Sequence, residues 1–482
     1  MSQLMIEREN PARTDELVGR VAAADDHDVD AAVFAARLAQ RGWAEVDVAD
    51  RAKQLHVAVD GVVGELDTIA ELMARETGKP LGDCRGEVGF AVTVLRWAAD
   101  TAARLLVDGV VDDSAGRLLL RHRPYGVVAA VTPWNAPIVL AVLKVGPAIA
   151  AGNAVVVKPS PLAPFAVEQF LGRLGAGLPD DLLQVVHGAA ATSTALVGHS
   201  GVDRVAFTGG ESAGRAIASL AGRSLTPSLL ELGGNDPAIL LPDAELDDEA
   251  MDRLVMAAFA TSGQVCMAIK RLYVHRSRLD ETVDAYRAAA QRVLRWGDPL
   301  HPGVSMGPVV TAASRDRVAA LVATATAGGA EAISLGTLDA DTDPQRGHYV
   351  GPVLVLGADD DDAIVAREQF GPALPLLAFD HEDEVVARAN AGELGLGASV
   401  WSADEDHAFE VAARLDAGFT FVNTHNRTGM SLRAPFGGVK RSGWGREYGD
   451  EGVLEHVQTC VVHAPAAFRA GGAGMGASAY PT

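Results

Sequence analysis

Between residues 28 and 75, apolar side chains recur at three- and four-residue steps: Ala31, Phe34 and Leu38, then Val59, Val63, Leu66 and Ile69. That period predicts helix. Residues 117–122 alternate less cleanly and predict a strand at the edge of a sheet. From Tyr125 the pattern changes to short apolar runs separated by helical segments. VVAAV is followed by a helix over 138–151, NAVVVK by a helix over 165–174, and LLQVV by a helix reaching Thr194. RVAFTG, a helix from Ser212, and SLLEL continue the series. Such alternation predicts a parallel sheet with helices on both faces, and ligands at the carboxyl ends of its strands. The rhythm restarts after Gly234 with a helix over 247–262, a strand at RLYVH and a helix over 280–296. A second α/β domain therefore begins near residue 233. The tail from Ala464 is rich in glycine and small residues, which predicts a loose end.

Length and composition narrow the class. A chain of 482 residues is too long for one core and predicts two or three domains. Its 48% hydrophobic and 22% charged residues are those of a folded globular protein. The formal charge of −22 repels nucleic acid and anionic membranes, so neither is expected as a partner. The first thirty residues lack a basic start followed by an apolar run, so no secretory signal is expected. No stretch reaches the roughly 20 apolar residues of a membrane span. The nearest one is broken by Pro133, Asn135, Pro137, Lys144 and Pro147. Cys84, Cys266 and Cys460 are odd in number and far apart, so they predict neither a disulfide framework nor a metal site. A cytoplasmic location fits best.

Four segments could carry chemistry. Cys266 follows Gly263-Gln264-Val265, a small, open setting for a thiol nucleophile. A buried helix cysteine is the plainer alternative. Glu231 ends an apolar strand and precedes Leu232-Gly233-Gly234, where a carboxylate could act as general base. Asn135, after Pro133 and Trp134, stands where an amide could hold an oxyanion. The run FTGGESAG over 207–214 suits a phosphate at a helix N-terminus, but Arg215 and Ala216 replace the Lys and Ser/Thr of a P-loop. A nucleotide-dependent phosphotransferase is thereby disfavoured.

Together these segments resemble the aldehyde dehydrogenase superfamily over nearly the whole chain, from Asn10 and Pro11 to about Val462. The likeness rests on seven motifs in the family's order: Pro133-Trp134-Asn135, Gly152-Asn153 with Lys158-Pro159-Ser160, Phe207-Thr208-Gly209, Glu231-Leu232-Gly233-Gly234, Gly263-Gln264-Val265-Cys266, Glu368-Gln369-Phe370-Gly371-Pro372, and Pro435-Phe436-Gly437-Gly438. The resemblance implies two parallel-sheet α/β domains and a β bridging arm. Residues 1–105 and 125–232 would bind the cofactor, 233–461 would be catalytic, and 106–124 with 462–482 would form the arm. Such an arm implies a homodimer or homotetramer.

The resemblance also implies the site. Cys266 would attack an aldehyde, with the oxyanion held by Asn135 and the Cys266 backbone N–H. Glu231 would activate water, and Lys144 would assist proton handling. NAD, or NADP, would contact Thr132, Pro133, Trp134, Lys158, Ser160, Gly188, the loop Phe207, Thr208, Gly209 and Gly210, and Leu232, Glu368 and Phe370. Glu231 argues for hydrolysis over transfer to coenzyme A. Pro161 stands where many NAD-preferring relatives carry a ribose-binding Glu, which leaves NADP admissible. Gln458 stands where some relatives have a Glu of the water network. Asn235 replaces a common Lys and carries no functional expectation.

The access funnel is expected at Ala136, Leu143, Val265, Met267 and the loop 424–434. The first four are apolar and favour an aromatic or medium-chain aliphatic aldehyde. Arg427 and Arg433 in the loop supply the alternative, a semialdehyde anchored by its carboxylate. A non-catalytic protein of the same fold is the rival from another class, opposed by the presence of Cys266, Glu231 and Asn135 together. Hydrolysis of activated esters would be a side activity of the same thiol.

Overall fold

VVAAV, at Val127–Val131, is buried at every position and lies inside a six-stranded sheet. In the computed structural model, which describes residues 4–468, its neighbours are Ala154–Lys158 on one side and Arg204–Thr208 on the other. Leu183–Val185 and Ser228–Glu231 extend the sheet in parallel, and Gly443–Trp444 closes one edge antiparallel. The interior strands need no polar face because both sides are covered, which is why they read as unbroken apolar runs.

A seven-stranded sheet forms the other half, in the order Glu331–Ser334, Val353–Leu356, Ala373–Phe379, Ile269–His275, Asp236–Leu240, Gly397–Trp401, Phe419–Val422. Only Glu331–Ser334 runs antiparallel. Successive side chains of a strand point to opposite faces. Ala238 and Leu240 accordingly join one apolar core, while Ile239 and Leu241 join another on the reverse side.

The third sheet is antiparallel and comprises Val457–Pro465, Gly116–Pro124 and Gly109–Asp113. The strand expected at a sheet edge over 117–122 is therefore the central one, held on both sides. The two outer strands leave Val110, Val111, Val461 and Val462 exposed. Of the tail, residues 469–482 lie outside those described.

Other elements depart from the sequence pattern for local reasons. An N-terminal hairpin, Met5–Asn10 with Arg13–Ala22, was invisible because its strands carry no apolar alternation. The helical stretch over 28–75 is three helices, Asp26–Ala44, Val48–Asp60 and Leu66–Thr77. Asp25 caps the first through His27 and Asp28, and Asp47 caps the second. The helix expected over 280–296 ends at Val293, and Arg295–Trp296 pairs with Thr337–Leu338.

The most consequential departure lies before Cys266. The helix expected over 247–262 stops at Phe259, and Thr261, Ser262 and Gly263 take φ of 55°, 59° and 68°. A left-handed non-glycine residue costs about 1–3 kcal/mol, so this turn must be held by its surroundings. Ser262 Oγ donates to Gly307 O at 2.8 Å, and Gln264 Oε1 accepts Val310 N–H at 3.0 Å. At Gly263 a Cβ would lie 2.4 Å from Gly371 O, so only glycine fits. The helical period ran through this turn in sequence; tertiary anchors break it.

Candidate active site

Four residues, 232–235, join the last parallel strand of the six-stranded sheet to Asp236–Leu240 of the other. Gly233 and Gly234 in this crossing allow close approach from both sides. A Cβ at Gly233 would meet Glu368 Oε2 at 2.5 Å, and one at Gly234 would meet Cys266 O at 2.6 Å. The turn 261–263 delivers Cys266 to that seam.

Two cavities meet at the thiol. One of about 520 Å³ opens over the carboxyl ends of the six-stranded sheet, and one of about 360 Å³ lies on the opposite side. Cys266 and Asn135 line both. Asn135 Nδ2 donates to Gln264 O at 3.0 Å, which uses one of its two hydrogens and fixes the direction of the other. Burial pushes the Cys266 thiol up to about 12; Lys270 opposes this, while Glu231, Asp236 and Glu368 reinforce it. Lys270 Nζ donates to the carbonyls of Val265 and Cys266, tying its charge to this turn.

Glu231 and Lys144 stand behind the thiol and line neither cavity. Glu231 is 3% exposed, and its Oε1 has no hydrogen-bond partner among the described residues. Burial, then the charge of Glu447, holds its carboxyl well above the usual range; Lys144, Arg446 and the Gly438 N–H pull the other way. Lys144 Nζ donates to Thr208 Oγ1 at 2.6 Å and to Glu447 Oε1 at 2.7 Å. Glu447 is the buried carboxylate of this network, and the sequence reading missed it. Gln458, considered for that place, is instead exposed on Val457–Pro465. The only local signal for Glu447 was a charge next to Arg446 in a glycine-rich run.

The larger cavity collects the expected cofactor residues with one exception. Thr132, Pro133 and Trp134 line it after one strand, Lys158 and Ser160 after the next, and Phe207, Thr208, Gly209 and Gly210 after a third. Leu232, Glu368 and Phe370 complete its inner end. Gly188 does not line it; its carbonyl accepts Lys158 Nζ at 3.1 Å and so aims that ammonium. Phe370 takes φ of 46°, its backbone held by Arg317 Nη2 on the carbonyls of Gln369 and Phe370. Its ring meets Trp134 edge-on, with centroids 5.7 Å apart. Ser193, Thr311, Ser314 and Arg317 also line the wall and came from no recognised motif.

The cavity fits a dinucleotide. Burial lowers Lys158 to about 8, and among the described residues Gly188 O is the one acceptor it meets, so donors remain for ribose hydroxyls. Thr132 Oγ1 is buried without a hydrogen-bond partner among the described residues. At Gly210, the N-cap of helix Glu211–Arg223, a Cβ would touch nothing within 4 Å, which leaves room against a helix N-terminus for a pyrophosphate. Glu368 Oε1 accepts Gly234 N–H at 3.3 Å at the end nearest the thiol.

The smaller cavity is mainly apolar. Ala136, Leu143, Val265 and Met267 all line it as expected, joined by Phe90, Val139, Leu140, Met430, Phe436 and Tyr448. From the loop 424–434, Arg427 reaches the wall, whereas Arg433 is exposed and does not. Arg427 Nη2 pairs with Asp83 Oδ1 at 3.2 Å.

Comparison with known proteins agrees with this geometry. The family model described as "Aldehyde dehydrogenase family" matches residues 1–462. Geranial dehydrogenase of Castellaniella defragrans is 39% identical over 454 residues, covering 92% of each chain. An NAD-dependent aldehyde dehydrogenase of Sinorhizobium meliloti superposes with TM-score 0.91 at 32% identity, over 97% of this chain and 92% of that one. An aldehyde dehydrogenase C mutant of Pseudomonas syringae, complexed with NAD+ and octanal, gives TM-score 0.89 at 34% identity, over 96% and 94%. A thiol at the junction of a dinucleotide-sized cleft and an apolar pocket, together with a family match across the fold, makes this chain a member of the aldehyde dehydrogenase family.

Proposed function

We infer that the protein oxidises a neutral, hydrophobic aldehyde, aromatic or medium-chain aliphatic, to its carboxylic acid with NAD(P)+ and water. The observation that carries this is the position of Cys266 and Asn135 in the wall common to both cavities. A substrate carbonyl beside that thiol would have its apolar body in the smaller cavity and would face the larger one. The relatives named for geranial and solved with octanal support the same substrate class.

Cys266 Sγ gives its proton to solvent water and bonds to the carbonyl carbon, and the carbonyl electron pair moves onto oxygen. The free hydrogen of Asn135 Nδ2 and the Cys266 N–H hold that oxyanion, as preorganised donors do at developing charge. Bound nicotinamide supplies the acceptor for the hydride that leaves the substrate carbon. The resulting thioester on Cys266 is opened by water. Glu231, ionised, takes the water proton; the C–S bond breaks and the acid leaves. Lys144 and Glu447 tune Glu231 from behind. Lys158, Ser160 and the loop at Gly209–Gly210 would hold the dinucleotide, and Glu368 would hold its inner ribose.

NAD is the expected cofactor, with NADP tolerated, because Pro161 lines the cleft beside Ser160 and offers no carboxylate to repel a 2′-phosphate. The exposed valines of the three-stranded sheet support pairing of arms between copies, as a homodimer or homotetramer. None of the described helices is long and apolar enough to cross a membrane. A working free thiol calls for a reducing compartment, which supports a cytoplasmic location.

The test is the formation of reduced cofactor by purified protein, followed by its near-ultraviolet absorbance. NAD and NADP are each offered with aromatic, aliphatic and semialdehyde substrates, beside Cys266→Ala. Turnover by wild type alone, without coenzyme A, is the expected result. Cofactor binding without turnover on any aldehyde would favour the non-catalytic alternative.

A further inference from the structure

Each charged side chain lining the smaller cavity meets an opposite charge. Lys79 pairs with Glu87, Glu447 with Lys144 at 2.7 Å, and Arg427 with Asp83 at 3.2 Å. The wall is thus electrically balanced, which suits a neutral substrate and leaves a carboxylate no uncompensated cation.

The three pairs are not equivalent. Lys79 with Glu87 and Lys144 with Glu447 are buried on both sides. Glu87 also accepts the N–H groups of Ile138 and Val139 at 2.9 and 3.2 Å, which fixes it to the start of helix Pro137–Ala150. Breaking either pair would strand a buried charge. Arg427 and Asp83 have side chains 42% and 20% exposed, so their pair lies where the cavity meets solvent. Asp83 sits in the first turn of helix Leu81–Leu105, outside the wall, and takes a long contact of 3.5 Å from Thr261 Oγ1. Arg427 is the one cation of the wall whose partner can be removed while water still reaches both groups.

We propose that Asp83 is a specificity-determining residue: by pairing with Arg427 it denies aldehydes that carry a distal carboxylate an anchor at the cavity mouth. This rests on the hydrophobic-aldehyde reading above. Without Asp83 the guanidinium fork is free for bidentate contact with a substrate carboxylate, the geometry in which Arg exceeds other cations.

The experiment compares kcat/KM for octanal and for succinic semialdehyde in wild type, Asp83→Asn, Arg427→Met and the double variant. The expected result is a rise of roughly tenfold in the semialdehyde-to-octanal ratio for Asp83→Asn, from one freed charge-assisted contact. Adding Arg427→Met should cancel that rise, a reversal that a loosened helix would not give. An unchanged ratio in Asp83→Asn, or an equal rise in the double variant, overturns the proposal while leaving the function intact. A wild type that already favours the semialdehyde overturns the substrate reading and this inference with it, and wild type inert to both defeats the enzyme assignment itself.

Discussion

Lys144 Nζ lies 2.7 Å from Glu447 Oε1, and the charges of this buried pair both act on Glu231. It sets two opposed fields on one carboxyl: Glu447 raises its proton affinity and Lys144 lowers it, on top of a burial penalty larger than either. The proton affinity of the proposed base is therefore set first by burial and then by the opposed charges of Glu447 and Lys144.

The pH profile should report this balance. A carboxyl held above its usual value becomes a base only as pH rises through that raised value. The kcat of wild type should accordingly climb well above the ordinary Glu range. In Glu447→Gln the repelling charge is gone and Lys144 acts alone, so the rising limb moves to lower pH. Lys144→Met should move it the other way. Loss of either partner of a buried pair costs about 3–5 kcal/mol, so melting temperature is measured beside the profile. A limb that stays in place in both variants would rule out Glu231 as the titrating group.

Glu231→Gln should separate the two halves of the reaction. Acylation through Cys266 remains possible, but the thioester is opened slowly. Rapid mixing should show a burst of reduced cofactor approaching one per site, followed by a steady rate lower by about 10²-fold or more, the scale of a lost general base. Equal losses in the burst and the steady phase would place Glu231 before the thioester instead.

Asn135→Ala removes one oxyanion donor. The expected loss in kcat is about 10²–10³-fold, with a much smaller change in KM, because the contact matters most when charge develops on oxygen. A change confined to KM would mean that Asn135 only shapes the cavity.

Pro161→Glu would place a carboxylate beside Ser160 in the cofactor cleft. Repulsion of a 2′-phosphate at close range should lower kcat/KM for NADP relative to NAD by about tenfold or more, and added salt should soften the effect. Equal effects on both cofactors would show that residue 161 does not face the ribose.

The legible part of this protein was the local part. Each cofactor segment is a short strand followed by a turn, so its residues are contiguous and the apolar run announces them: Val127–Val131 before Thr132, Arg204–Thr208 before Gly209. The parallel sheets follow from the same alternation, since a strand buried on both faces must read as apolar throughout. Cys266, Glu231 and Asn135 stood out because glycines or a Pro-Trp pair flank them. What the sequence determined by itself was the family, the thiol and the segments that reach it.

Tertiary structure decided what those groups meet. Lys144 and Glu447 are 303 residues apart, and Asp83 and Arg427 are 344 apart, so no local pattern could pair them. The same holds for the turn 261–263, whose helical period is overruled by contacts from Gly307, Val310 and Gly371. It holds too for Arg433, which shares a loop with Arg427 yet is exposed and does not line the cavity. Periodicity reports which face of an element is buried, but not which partner is on the far side. Charge pairing, left-handed turns and the walls of a cavity depend on that partner, and only the folded chain supplies it.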